Sequence, residues 1–295
     1  MSGDSEQEYF SDGITEDIIT ALSRLRWFFV IARNSTFVYK GQAANVKQVG
    51  RDLGVRYLLE GSVRKSGQRV RITSPLMDAL TGNHIWAERY DRELTDIFAL
   101  QDEITASVTA AIEPKLIAAE GTRVETRSID DLDAWDLVAR AVSHFWKLNA
   151  VESAAAIGIL RLAVQRHPNY APAHSMLAFV LLVSTHVGWM PDQAEQEYAG
   201  RLARRAAELD ESDPWAHMAL GYLAFTQRAT AEAVQHFQTA LDLNSNFAAA
   251  HGYVGWALVF DGQSEEAMGH FEQAMRMSPR DPLNGFFFAG ISAAH

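Results

Sequence analysis

Three histidines at one repeat position are the first residues in this chain whose spacing could do chemistry. His217 and His251 stand 34 residues apart, and His236 and His270 repeat that interval. With His174 at the matching place upstream, His217 and His251 suggest a ladder of imidazole ligands. Stacked helix pairs would set equivalent positions roughly 9–10 Å apart, too far for one ion to bridge. The histidines of one position therefore read as planar fillers between the two helices of a unit, and no metal set is assigned. The acidic cluster Asp91, Glu93, Asp96, Asp102 and Glu103 could supply paired carboxylates for proton transfer. It also brackets the start of a helix expected from near Thr95, where negative charge in the N-terminal turns complements the helix dipole. Arg64, Lys65, Arg69 and Arg71 form the densest basic patch, which could meet an acidic partner or phosphates, or could solvate a sheet edge. The sequence contains no nucleophile elbow, dinucleotide fingerprint or phosphate loop. It also has no cysteine, which excludes disulfides and thiolate chemistry. No catalytic residue and no cofactor is assigned.

The elements that would position such residues are visible as a repeat. At the same 34-residue offset, Gly221 recurs as Gly255, Ala233 as Ala267, Phe237 as Phe271 and Ala240 as Ala274. Small residues midway along a first helix let a second helix come close. Ala233, Phe237 and Ala240 fall at i, i+4 and i+7, one face of a 3.6-residue period. Each unit closes in a polar or proline-bearing turn, and such a helix–turn–helix pair must stack to bury its apolar face.

These residues resemble tetratricopeptide repeats. Pro214–Phe247 and Ala248–Asp281 match closely. A unit from about Ala171 carries nine extra residues around Gly188–Asp192, a unit over Ala134–Tyr170 carries about three, and a fifth begins at Pro282 as one helix. In that family, fixed positions of each first helix line a concave face. The resemblance places Trp135, Val142, Phe145, Phe179, Leu182, Trp215, Met218, Tyr222, Phe225, Trp256 and Phe260 there. The set is aromatic and aliphatic, without Lys or Arg, so it implies a groove for an apolar partner segment. The alternative is a groove filled internally, by the amino-terminal domain, the nine-residue insertion or a superhelical neighbour. The last helix carries Leu283, Phe286, Phe287, Phe288 and Ile291. That apolar end implies either truncation of the array or self-association through this helix.

Residues 8–120 follow a different pattern. Asp12 reads as the N-cap of a helix carrying Ile14, Ile18, Ile19, Leu22 and Leu25. WFFVIA at 27–32 reads as a short strand, Val46–Leu53 as an amphipathic helix ending at Gly54, and Val55–Lys65, Arg69–Ala79 and His84–Tyr90 as a meander. Ile97–Leu116 reads as a long helix. Pro75 inside the second meander strand implies an edge position or a bulge. YFSDGITEDI, YLLEGSVRKSGQRVRI, DALTGNHIWAERYDREL and IFALQDEI resemble the TolB-like amino-terminal domain. That family's first strand would precede the segment here headed by Met1, so it is expected to be missing. In bacterial signalling proteins such a domain commonly sits between a tetratricopeptide array and an upstream effector, a winged-helix domain or a class III adenylate cyclase.

The expected organisation is an α+β domain with an antiparallel sheet over 1–120, a linker over 121–133 and an all-α tetratricopeptide repeat solenoid over 134–295. The chain's 295 residues and 48% hydrophobic content suffice for two packed cores. Up to residue 133 there are 16 basic and 21 acidic residues (−5), and beyond it 10 and 16 (−6), summing to the formal −11. Neither part favours direct nucleic-acid binding. The longest apolar run, Met176–Val183, is too short for a membrane span, and the acidic start is no secretory signal, so the expected compartment is the cytoplasm. The expected function is a non-enzymatic protein-interaction and regulatory module. Its partner would be a protein or peptide segment, or an upstream effector domain. The alternative is a regulatory fragment of a class III adenylate cyclase or winged-helix regulator.

Overall fold

The computed structural model describes residues 5–25, 28–42, 45–93, 96–125, 127–190, 193–278 and 281–294. The chain divides into two compact units, Met1–Lys115 and Leu116–His295.

In the first unit, α1 (Ser5–Leu22) starts earlier than the Asp12 cap predicts, and Asp12 lies inside it. The reason is Phe10, which is buried on the same face as Ile14 and Ile18 and extends the apolar stripe by a turn. Residues 28–32 form no strand, a correction to the sequence reading, and Phe29 is 86% exposed; Trp27 lies outside the described residues. Then follow the single turn α2 (Arg33–Thr36), a 3-10 turn and α3 (Val46–Leu53). Asn45 caps α3, and Gly54 closes it at φ +65°, a conformation that side chains resist.

The sheet has four strands, β1 (Tyr57–Leu59), β2 (Ser62–Ser66), β3 (Arg69–Asp78) and β4 (His84–Glu93). β1 and β2 are the two halves of the predicted 55–65 strand. They pair antiparallel with successive stretches of one edge of β3, while β4 pairs with the other. Val70, Ile72, Ser74 and Leu76 alternate inward along β3, and Trp86 and Tyr90 continue that face on β4. Pro75 therefore sits in the central strand, not at an edge. Its missing N–H is absorbed locally: the ladder shifts register at Leu76/Met77, and the Pro75 carbonyl accepts from Glu60 N–H (3.0 Å) at the break between β1 and β2. The long helix α4 (Ile97–Val124) buries Leu100, Ile104 and Val108. In the first unit it packs so near α1 that a Cβ on Gly13 would stand 2.3 Å from the Gln101 amide.

The second unit is a stack of helix pairs, and its order matches the repeat. The pairs are α5 (Ala134–Phe145) with α6 (Ala150–Arg166), α7 (Ala171–His186) with α8 (Gln193–Leu209), α9 (Pro214–Thr226) with α10 (Thr230–Leu243), and α11 (Ala248–Phe260) with α12 (Ser264–Met277). A single helix, α13 (Asn284–Ala294), follows. Side chains cap the orphan N–H groups where the sequence supplies them: Asp133 accepts from Asp136 N–H (2.8 Å), Asn149 from Glu152 N–H (3.0 Å) and Asp213 from Trp215 N–H (2.9 Å). Gly221 and Gly255 do what small residues were expected to do. A Cβ on Gly221 would stand 2.6 Å from the Phe237 ring, and one on Gly255 2.8 Å from the Phe271 ring. Both rings are fully buried.

The stretch read as a linker contains structure. Helix α4 continues through Leu116 to Val124, and Val124 is fully buried. Arg127 pairs with the buried Asp136 at 2.5 Å, and Arg123 pairs with both Asp136 and Glu120. These bonds tie the approach to α5 into the second unit.

Candidate functional site

The eleven side chains expected to line a groove occupy three environments. Val142, Phe145, Phe179, Leu182, Trp215, Met218, Tyr222 and Phe225 are buried, Trp135 and Trp256 are half-buried, and Phe260 is 67% exposed. The buried eight belong to the second unit's own core. Phe179 is the hub: its ring meets Phe145 at 5.8 Å, Trp215 at 5.3 Å, Tyr222 at 5.6 Å and Tyr253 at 6.1 Å, all edge-on. Edge-to-face contacts at these separations add roughly 0.5–1.5 kcal/mol per pair beyond the area they bury. His186 closes the cluster, 2.9 Å from the Tyr222 hydroxyl. Burial lowers the His186 pKa and holds the Tyr222 hydroxyl well above its usual value, so the pair is neutral. An interlocked set of this kind is packing rather than an open surface.

Apart from Trp135 on α5, the accessible remainder gathers at the other end of the stack. Trp256 stacks on Phe286 at 4.7 Å and touches Phe260 at 5.9 Å. Phe260 in turn meets Phe225 at 5.4 Å. Phe286 and Phe288 of α13 are 37% and 60% exposed, whereas Phe287 between them is fully buried against α11 and α12. Sequence reasoning found Trp256 and Phe260 by their repeat position. It noted Phe286 and Phe288 only as an apolar end.

The polar candidates are mostly accounted for. Asp91 pairs with Arg71 (2.6 Å) and Arg89 (3.2 Å), and Glu103 with Arg92 (2.8 Å). Asp96 accepts from the N–H groups of Phe98 and Ala99 and so caps α4; Thr95 lies outside the described residues. The guanidinium of Arg71 holds the Asp91 carboxyl below its usual range. These carboxylates are engaged by cations and a helix start, not aimed at a common point. In the basic hairpin, Arg64 lies across from Arg71 in the ladder.

The histidines do have companions, which the sequence reading missed. His251 Nδ1 lies 3.1 Å from His270 Nδ1 across α11 and α12, and the rings of His217 and His236 stand 5.8 Å apart across α9 and α10. The signal was the shared interval: each pair repeats 34 residues on. Burial pushes the His251 pKa down to about 4, with the neighbouring His270 adding to it. No group of three or more metal-ligating side chains converges among the described residues. No helix among them is long and apolar enough to cross a membrane.

No protein-family model matches the chain. A Rhizobium meliloti protein described as "Putative adenylate cyclase 3" is 44% identical over 236 residues, which are 79% of this chain and 40% of that protein. The transcriptional regulator HilA of Salmonella paratyphi A is 27% identical over 181 residues, 59% of this chain and 32% of HilA. Among solved structures, the thermophilic TPR protein TTC0263 of Thermus thermophilus aligns with a TM-score of 0.46 and 16% identity, over 66% of this chain and 94% of that one. A structure of MamA aligns at 0.36 and 17%, over 61% and 98%. The chain is thus similar to a part of two longer curated proteins, spanning about two fifths of one and a third of the other.

Proposed function

We propose that this chain is a non-enzymatic, cytoplasmic protein-interaction and regulatory module of a bacterial signalling protein. The aromatic surface on α11 and α13 is its partner-binding site. The observation that carries this reading is the accessible aromatic set on α11 and α13: Phe260 and Phe286 against the half-buried Trp256, with Phe288 exposed elsewhere on α13. Aromatic anchors dominate binding energy at protein interfaces, and contiguous exposed patches of this type are uncommon on monomers. Trp135, Trp256 and Phe260 are the members of the expected groove that a partner can reach without unpacking the core. The curated relatives support the regulatory part. Each is much longer than the matched region, and one is named as a cyclase, the other as a transcriptional regulator. A module shared by proteins with different outputs suits an input or coupling role, with the TolB-like first unit passing the signal on.

A photo-crosslinking side chain at Phe260 or Phe288, introduced in the native host, tests the site. The reading expects one defined heterologous adduct from these positions and none from Gln235, which is exposed on α10. Equal labelling from all three positions would remove the surface from consideration. The 44% relative's name favours a second reading, a regulatory fragment of a class III cyclase. The isolated chain given ATP and divalent cation is expected to form no cyclic AMP, and turnover abolished by substitutions in this chain would overturn the non-enzymatic reading. A class III cyclase domain joined to this chain in the native host, with activity altered by substitutions here, would favour the second.

A further inference from the structure

We propose that His251 and His270 form a two-histidine site for a divalent transition cation such as Zn2+ or Ni2+, bridging the two helices of the last complete pair. The Nδ1 atoms stand 3.1 Å apart. Zinc–imidazole bonds are about 2.0–2.1 Å, so two nitrogen ligands on one ion sit about 2.9 Å apart at a right angle and about 3.3 Å apart at the tetrahedral angle. The observed separation lies between those limits. Two protein ligands leave the remaining positions to water, and imidazole is a suitable donor for this class of metal.

The frame around the pair is rigid. His251 lies in the first turns of α11 and His270 in α12, and Gly255, one turn beyond His251, is packed against Phe271, the neighbour of His270. That close approach fixes how far apart the two imidazoles can stand, the preorganisation a metal site needs. Glu266, one turn before His270 on α12, adds a negative charge that acts on it.

The histidine position itself explains which ring nitrogen is presented. In the sister units, His174 Nε2 lies 2.9 Å from the Pro168 carbonyl and His217 Nε2 lies 3.1 Å from the Glu211 carbonyl. A carbonyl only accepts, so Nε2 carries the proton and Nδ1 keeps its lone pair. In both residues Nδ1 is buried with no hydrogen-bond partner. Donation from the remote nitrogen to a backbone carbonyl is also how metal-bound histidines are held in tautomer and orientation. At the same repeat position His251 turns its Nδ1 to His270 Nδ1 on α12, where one ring donates to the other's lone pair in the metal-free chain, and the His217 ring meets His236 on α10. The 217/236 rings repeat the tilt of the 251/270 pair, 34° against 36°.

The test uses the full chain without a polyhistidine tag, titrated with Zn2+ and with Ni2+ by calorimetry and by thermal unfolding. The expected result is saturable binding with a rise in Tm. His251→Gln and His270→Gln should each weaken it about ten- to a hundredfold, in the range that even outer-sphere losses cost a metal site. His84→Gln, on the exposed start of β4, and His236→Gln should leave that binding phase unchanged. Circular dichroism of the metal-free variants verifies that each remains folded. Absence of saturable binding, or binding that survives both the 251 and 270 substitutions, overturns the proposal. So does a loss produced equally by His84→Gln.

Discussion

At the scale of single residues, burial decides which polar groups are structural. Asp213 caps α9 through Trp215 N–H, yet it is buried, and burial raises its pKa above the ordinary 3.8. A carboxyl whose folded pKa is raised contributes stability in its protonated form. That contribution is complete below the unfolded value and is lost as pH rises through the folded one. Asn caps a helix as well as Asp and carries no charge to desolvate. Asp213→Asn is therefore expected to raise Tm at pH 7, with the advantage over the wild type shrinking as pH falls toward 3.8. Asp213→Ala, which removes the cap, should cost about 1 kcal/mol. Thermal unfolding of the three proteins across pH separates the two effects. An Asn variant whose advantage does not change with pH would show that charge burial is not the cause.

At the scale of elements, legibility followed the length of the pattern. The helix pairs could be read because a 34-residue interval repeats both the residue types and the contacts they make, such as Gly221 with Phe237 and Gly255 with Phe271. Gly221→Ala tests this. Alanine gains about 1 kcal/mol of helix propensity, but its Cβ would meet two ring carbons at 2.6 Å in a ring with no exposed surface. Overpacking of that kind costs about 1–3 kcal/mol, so a net loss is expected in urea unfolding, and an unchanged or raised midpoint would refute it. Shorter signals misled. An apolar run at 27–32 has the composition of a strand but is too short to distinguish periods. Pro75 left an edge and a bulge both open, because sequence alone does not show the strand's partners on either side; the structure has the register shift next to it. The eleven residues expected to line a groove fall on α5, α7, α9 and α11, the first helices of the pairs, but periodicity does not report how tightly successive first helices interlock. That is why Phe145, Phe179 and Tyr222 turned out to be core. The histidine companions were legible in principle, since His236 and His270 keep the same interval as His217 and His251.

At the scale of the whole molecule, two acidic units leave apolar contact, not charge attraction, as the natural driver of association. The formal charge is −11, so copies of the chain repel one another weakly at low ionic strength. Against that, α13 presents Phe286 stacked on Trp256, and Phe288 exposed on the same helix, while Phe260 is exposed on α11. Fully burying one Phe side chain is worth roughly 1.5–3 kcal/mol, so two or three such rings outweigh repulsion that salt screens over about 10 Å. In the absence of partner, sedimentation at rising concentration is expected to show reversible self-association that strengthens with salt. Phe286→Ser with Phe288→Ser should return the chain to its 32.7 kDa monomer. Phe287 must be left intact, because it fills the space above Gly252 within the core. If the double variant and the wild type sediment alike, the exposed rings do not act as a self-docking face, and the heterologous partner sought by crosslinking at Phe260 becomes their expected occupant.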